Sequence, residues 1–180
     1  MRVSQLFSKE SASAMTSESP EELISKLKYL YKLQPHPEGG YYAETYRSEN
    51  TSLDKDSQLP ICASTAIYFL VLPETVSRLH RIRYDEMWHF YLGGPLVVVE
   101  LEETSVKETI LGQNVLQGEV VQYVVKGNTW FGCYPKEGTH FSFVGCTVAP
   151  GFEFRDFELG NREWLTKEFP FAADVIKKLT

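Results

Sequence analysis

Cysteine is scarce in this chain of 180 residues, and the three present, Cys62, Cys133 and Cys146, are odd in number, far apart and without any C-x-x-C spacing. That excludes a disulfide framework and a cysteine-based zinc motif, and leaves them as small buried hydrophobes of a reducing compartment. Long apolar runs are missing too. The longest, Ala66 to Leu72, has seven residues and stops at Pro73, far short of the ~20 that cross a bilayer. No apolar stretch follows the N-terminus, and Glu10 and Glu18 in the serine-rich start count against a transit peptide. A cytoplasmic protein with no membrane partner is the expectation. Positive charge is in deficit, with 18 Lys and Arg against 24 Asp and Glu for a net charge of −6. The broad positive face that DNA or RNA binding requires is therefore not expected. Gly-rich phosphate cradles, nucleophile elbows and paired-histidine helix motifs are absent as well.

What is abundant is aromatic: 11 Phe, 10 Tyr and 3 Trp, in a chain long enough for one domain with a sizeable core. Residues 1–18 are serine-rich, poor in apolar residues and aperiodic, the composition of a disordered arm. The single domain is then expected over 19–180. Ser19-Pro20-Glu21-Glu22 reads as a capped helix start, followed by Leu23, Ile24, Leu27, Leu30 and Tyr31 at helical spacing. From Glu38 to about Glu158 the pattern turns to strands: Tyr41 to Arg47, Ser64 to Leu72, Met87 to Leu92, Leu96 to Leu101, Val120 to Val125 and Phe141 to Val148. Strands with no intervening helices predict an antiparallel all-β sandwich or barrel. Asn161 to Phe169 and the stretch after Pro170 look helical, with Trp164 and Phe169 docking them on the sheets.

Three groups of residues carry chemistry. Strand alternation places Tyr42, Glu44 and Tyr46 on one face. A glutamate between two tyrosines suits a ring-shaped ligand with an N–H edge, and equally suits an outward subunit interface. His80, with Asp85 or Glu86 able to orient its ring, reads as a base or an anion contact. An unbroken strand from Glu86 puts His89 on the opposite face, with Trp88 and Phe90 accompanying Glu86 as core or pocket wall. Arg78, Arg81 and Arg83 form the densest basic cluster, suited to phosphate or to solvated pairing with Asp85 and Glu86. His36 and His140 have no evident partners in sequence and read as structural.

His80, Glu86 and Gly93 match in type and spacing the first motif of the cupin superfamily. The chain departs from that motif at its leading glycine, here Glu74, and at its second histidine, here Ile82. In the second motif, Gly127-Asn128-Thr129 leads to Trp130 where the last ligand, a histidine, should stand. A divalent metal needs about three or more N or O donors, so the resemblance with these departures implies no metal and no other cofactor. Over Leu33 to Phe169 the chain resembles the fifth cupin family through Pro35-His36-Pro37-Glu38-Gly39-Gly40-Tyr41-Tyr42, Glu44-Thr45-Tyr46-Arg47-Ser48, Asp85-Glu86-Met87-Trp88-His89-Phe90 and Ala149-Pro150-Gly151-Phe152-Glu153-Phe154. A narrower resemblance, to dTDP-keto-sugar epimerases, rests on Gly40, Tyr42, Glu44 and Arg78-Leu79-His80.

The resemblance implies an all-β cupin double-stranded β-helix, a jelly-roll barrel with short helices at both termini, forming a homodimer. It also implies a metal-free pocket for a nucleotide or nucleotide-sugar-like ligand, walled by Tyr42, Glu44, Tyr46, His80, Glu86 and Trp130, with phosphate toward Arg78, His80 and Arg81. The enzymatic version is an isomerase or epimerase with His80 as base and Tyr46, Tyr68 or Tyr91 as opposing acid. The alternatives are a metal-dependent oxygenase using His80, Glu86 and His89 or His140, and a non-catalytic storage or interaction protein.

Overall fold

The computed structural model describes residues 19–55 and 57–180; the arm expected over 1–18 lies outside them. The first described element is α1 (Pro20–Leu30), whose N-cap Ser19 exchanges hydrogen bonds with Glu22 in a capping box. Thirteen strands follow: β1 (Gln34–Pro35), β2 (Tyr41–Arg47), β3 (Thr51–Leu53), β4 (Pro60–Cys62), β5 (Thr65–Val71), β6 (Ser77–Ile82), β7 (Glu86–Gly93), β8 (Leu96–Leu101), β9 (Val106–Leu111), β10 (Gln122–Val125), β11 (Trp130–Pro135), β12 (Ser142–Val148) and β13 (Phe157–Leu159). Two helices, α2 (Arg162–Glu168) and α3 (Ala173–Lys178), complete the fold.

The strands pair in antiparallel fashion into a six-stranded sheet, β1-β2-β5-β12-β7-β10, and a five-stranded sheet, β13-β6-β11-β8-β9, with β3 and β4 as a separate hairpin. This is the jelly-roll barrel expected from the sequence, with short helices at both ends of the domain. The expected strands appear with small changes of boundary. β1, β3, β4, β6, β9, β11 and β13 lie outside the stretches named from sequence; in β6, β9 and β11, charged or small residues such as Arg78, Arg81, Glu108 and Gly132 interrupt the apolar alternation that marks a strand.

Alternation decides what each face buries. The inward residues of the two sheets, among them Phe69, Val71, Trp88, Val98, Phe131 and Val144, form one core. The outer face of the five-stranded sheet is covered by α2 and α3, where Leu165 and Ile176 are fully buried against Leu79, Val97 and Val99. α1 covers one end of the outer face of the six-stranded sheet, packing Leu27 with Leu70, Leu72 and Phe143. All three cysteines are buried as free thiols, as expected. Among the described residues no helix is long and apolar enough to cross a membrane.

Candidate functional site

One end of the barrel interior is hollow. A cavity of about 280 Å³ opens there, walled by Ile67, Phe69, Ile82, Val148, Phe152 and Phe154, with Glu38, His80 and Glu86 among its polar groups. The turn between β1 and β2 builds the first of these. Gly39 and Gly40 take φ values of 116° and 69°, and a Cβ on Gly39 would stand 2.1 Å from the Val76 carbonyl oxygen. Only glycine permits this approach, and it brings Glu38 onto β6. There Ser77 donates to Glu38 Oε1 at 2.8 Å. His36 Nδ1 and His80 Nε2 each lie 3.3 Å from Oε2. Burial pushes the Glu38 carboxyl up, but His80, His36 and Ser77 together outweigh it and hold the group below the usual carboxylate range. Arg78 secures the turn by donating to the Pro37 and Glu38 carbonyls.

His80 is fixed at both nitrogens. Its Nδ1 is 2.8 Å from the Arg78 carbonyl oxygen, which can only accept, so Nδ1 carries a hydrogen. Nε2 then faces the Glu38 carboxylate at 3.3 Å. Glu86 enters from β7 with only 9% of its surface exposed, and among the described residues its buried Oε2 has no hydrogen-bond partner, nor has the buried Nε1 of Trp88. Burial, then the charge of Glu38, pushes its pKa up to about 8, against a smaller opposing pull from Cys146 and Trp88. Two carboxyl groups on one cavity are thus driven apart, Glu38 ionised and Glu86 protonated at neutral pH.

At the mouth, β2 contains a bulge. Glu44 pairs with Ile67 and Tyr46 with its neighbour Ala66, so the extra residue reverses the alternation. Tyr46 is turned out, 53% exposed, and Arg47 takes the inward place. Arg47 binds Glu44 through Nε at 3.1 Å and Nη2 at 2.8 Å, Glu153 at 2.9 Å and the Phe152 carbonyl at 3.2 Å. This ties β2 to the loop that carries Phe152 and Phe154 over the opening.

The structure therefore assembles Tyr42, Glu44, His80 and Glu86 of the residues singled out by sequence and disperses the rest. Tyr46 points away because of the bulge. Arg78 holds backbone rather than facing the cavity, and Arg81 pairs with Glu158 and lies 4.7 Å over the Trp130 ring. Trp130 is 4% exposed but belongs to the outer core beside Trp164 and Leu165. Its neighbour Phe131 faces inward, pairs with His80 across the strands and puts its ring 4.2 Å from the imidazole. Of the two neighbours it is thus Phe131, not Trp130, that faces the interior opposite His80. His80, Ile82, Glu86 and Phe131 supply too few donors for a divalent cation, and no group of three His, Cys, Asp or Glu suited to a metal exists among the described residues. His89 lies on the outer face, against Thr147 and Gln122. The sequence reading took His36 as structural, whereas it lines the cavity beside Glu38, and singled out neither Glu38 nor Arg47. The glycine pair after Glu38 was the visible signal for the first two, while nothing in the sequence marked the bulge that recruits Arg47.

The two-sheet barrel with a hollow, carboxylate-lined end defines a cupin. A family described as "Cupin superfamily (DUF985)" matches residues 21–160, and the chain belongs to that family. A hypothetical protein from Leishmania major superposes with a TM-score of 0.80 at 34% identity, over 87% of this chain and 97% of that one. Protein SO0799 from Shewanella oneidensis gives a TM-score of 0.79 at 35% identity, over 87% and 96%. The uncharacterized protein YML079W of Saccharomyces cerevisiae is 28% identical over 151 residues, 76% of this chain and 75% of its own.

Proposed function

We propose that this cupin binds a small, uncharged, carbonyl-bearing molecule inside the barrel and relocates a proton on it, in the manner of an isomerase or epimerase. Glu86 is the proton-carrying group. The observation that carries this reading is its carboxyl: buried, unpartnered at Oε2, on the cavity wall and with a pKa near 8. A group that titrates close to neutral pH can both give and take a proton efficiently. His80, expected as the base, has both nitrogens engaged. With Glu38, it serves instead to hold a fixed charge that adds to burial in keeping Glu86 protonated. Tyr42 supplies the aromatic wall and a second hydroxyl on the same cavity, the place expected of Tyr46, Tyr68 or Tyr91, none of which lines it.

The reaction balances without an oxidant. A C–H beside the carbonyl gives its proton to ionised Glu86, the electron pair moves into the carbonyl as an enolate, and Glu86 returns the proton to another face or position. The nucleotide-sugar version of the reading keeps the ring site on Tyr42 but loses its phosphate site, since Arg78 and Arg81 point elsewhere and Arg47 is occupied by two glutamates. Incubating keto-sugars and cyclic ketones or lactams in D2O with the protein tests the reaction. Wild type should wash deuterium into a bound compound at carbon and Glu86→Gln should not; exchange at equal rates in the two would remove Glu86 from the chemistry.

A further inference from the structure

Polar and apolar side chains share the lining of the cavity, so a ligand there is chosen by the polar atoms that the protein leaves unspent. Arg47 is bonded to Glu44 and Glu153. Glu38 is met by Ser77 and His80, and the Thr65 hydroxyl accepts from the Phe152 N–H. One oxygen of Glu86 is sealed in the wall. His36 differs. Its side chain is only 7% exposed, yet it lines the cavity and is engaged through Nδ1, which receives the backbone N–H of Glu38 at 3.3 Å. Among the described residues Nε2 has no partner. Nor is it sealed, since the buried side-chain N and O atoms left unpartnered among those residues are Glu86 Oε2 and Trp88 Nε1.

Because Nδ1 accepts, the hydrogen of the neutral ring sits on Nε2. A second proton would go to Nδ1, 3.3 Å from the Glu38 carboxylate, and Nε2 would still donate. The Gln34 amide and the Tyr42 hydroxyl, cross-strand partners on the same hairpin, are also unpartnered among the described residues, but each turns about its own bonds. The His36 N–H is fixed. Its main chain is pinned by hydrogen bonds to Gly40 at 3.1 Å and from Gly39 at 3.0 Å. Its ring meets Tyr42 edge-on with centroids 4.6 Å apart and stacks on Phe154 at 6.0 Å. A donor set in place before the ligand arrives is what stabilises charge that develops on an oxygen.

We infer that Nε2–H of His36 receives the carbonyl oxygen of a cyclic ketone and holds it more tightly as the enolate, which makes His36 a second catalytic residue. A flat ring suits the neighbouring faces of Tyr42, Phe69 and Phe154. This rests on the reading of the cavity as the site of an enolising reaction. His36 moves no proton: Glu86 takes it from carbon, and the negative charge left behind collects on the oxygen bonded to Nε2, where a neutral imidazole suffices as donor. His80 is unsuited to this part, because both its nitrogens are engaged.

Calorimetry on the full chain at pH 7 tests this with 3,4-dinitrophenol, a flat ring whose oxygen is ionised at neutral pH and which stands in for the enolate. Its methyl ether is the contrast. The phenolate should bind more tightly than the ether by roughly tenfold or more. His36→Gln, whose amide offers an N–H near the same point, should keep that binding within severalfold. His36→Phe should weaken it by roughly tenfold or more and slow deuterium exchange on a cyclic ketone by roughly a hundredfold. Nitrogen-15 NMR of the imidazoles in wild type makes the test independent of any variant's stability, because the His36 Nε2 signal should move when the phenolate binds. An unmoved His36 signal at saturation, equal affinity for phenolate and ether, or no phenolate binding at millimolar concentration would overturn the inference. Phenolate binding that depends on His36, with no deuterium exchange on any ketone, supports the oxygen site and removes the proposed reaction. Exchange that needs Glu86 but is unchanged in folded His36→Phe keeps the reaction and removes His36 from it.

Discussion

The two ends of the barrel are made from the same strands and differ in what fills them. On β5 the inward series runs Thr65, Ile67, Phe69 and Val71, and on β12 it runs Val148, Cys146 and Val144. At one end Val71, Leu96, Val98 and Val144 close the space with every side chain fully buried. At the other, Thr65, Cys146 and Val148 are small, and among the longer residues that line the space are two carboxylic acids, Glu38 and Glu86. Trp88 separates the halves, with ring contacts to Phe69 at 6.2 Å and Phe131 at 6.3 Å. The difference teaches that backbone geometry provides the interior and side-chain volume decides where it stays empty. At the hollow end, burial acts on charge instead of on packing: it is the first cause of the Glu86 shift.

Breaking the partition itself should cost most. Trp88→Ala removes the largest fully buried side chain and should destabilise the fold by about 3–5 kcal/mol, measured by urea unfolding. A loss below about 1 kcal/mol would mean that the two ends do not depend on this ring.

Glu38→Gln should come next, on the order of 3 kcal/mol, since it leaves the buried His80 without its carboxylate. It should also lower the Glu86 pKa from about 8, because the second cause of that shift is the Glu38 charge. Carbon-13 NMR of the glutamate carboxyls reads both effects. An unmoved Glu86 would assign its shift to burial alone.

The pH dependence of stability sharpens the contrast between the two acids. Glu86 titrates near 8 when folded and near 4.5 as an ordinary glutamate, so between these values the native state holds a proton that the unfolded state has lost. Its contribution is complete below about pH 4.5 and is lost as pH rises through 8, with a slope approaching ~1.4 kcal/mol per pH unit. Glu38, shifted downward, acts in the opposite sense, and its contribution is lost as pH falls through its folded pKa. Thermal melts of wild type and Glu86→Gln should therefore diverge as pH rises from 5 to 8, and parallel curves would contradict the Glu86 assignment.

Restoring donors probes which residue faces inward. Ile82→His with Phe131→His should create a zinc site with His80 and Glu86, visible by calorimetry. Ile82→His with Trp130→His should bind zinc more weakly, with one donor fewer, because Trp130 belongs to the outer core. The smallest effect belongs to the entrance. Arg47→Ala should cost no more than about 1 kcal/mol because its ion pairs are part-exposed. Hydrogen exchange should quicken selectively in residues 150–156.

Much of this molecule could be read from the chain alone. The capping box at Ser19 and the strands over Tyr41 to Arg47 and Leu96 to Leu101 each express a local rule, and each was found where expected. The site was legible only in part. Tyr42, Glu44, His80 and Glu86 were named, yet Tyr46 was carried along by an alternation that the bulge beside it breaks. Trp130 was placed by a spacing that misses the inward Phe131 by one residue. A period of two makes any one-residue error a change of face.

By itself the sequence determined the all-β architecture, the terminal helices and the inventory of acids, rings and histidines, because these depend on composition and on neighbours a few positions apart. Only the tertiary structure decided which carboxyl is ionised and which stays protonated. That difference arises from groups distant in the chain: His36, Ser77 and His80 converge on Glu38, while Glu86 is sealed against the same cavity with no partner at Oε2. The state of a buried charge depends on what surrounds it in space, and those surroundings exist only once the barrel has closed.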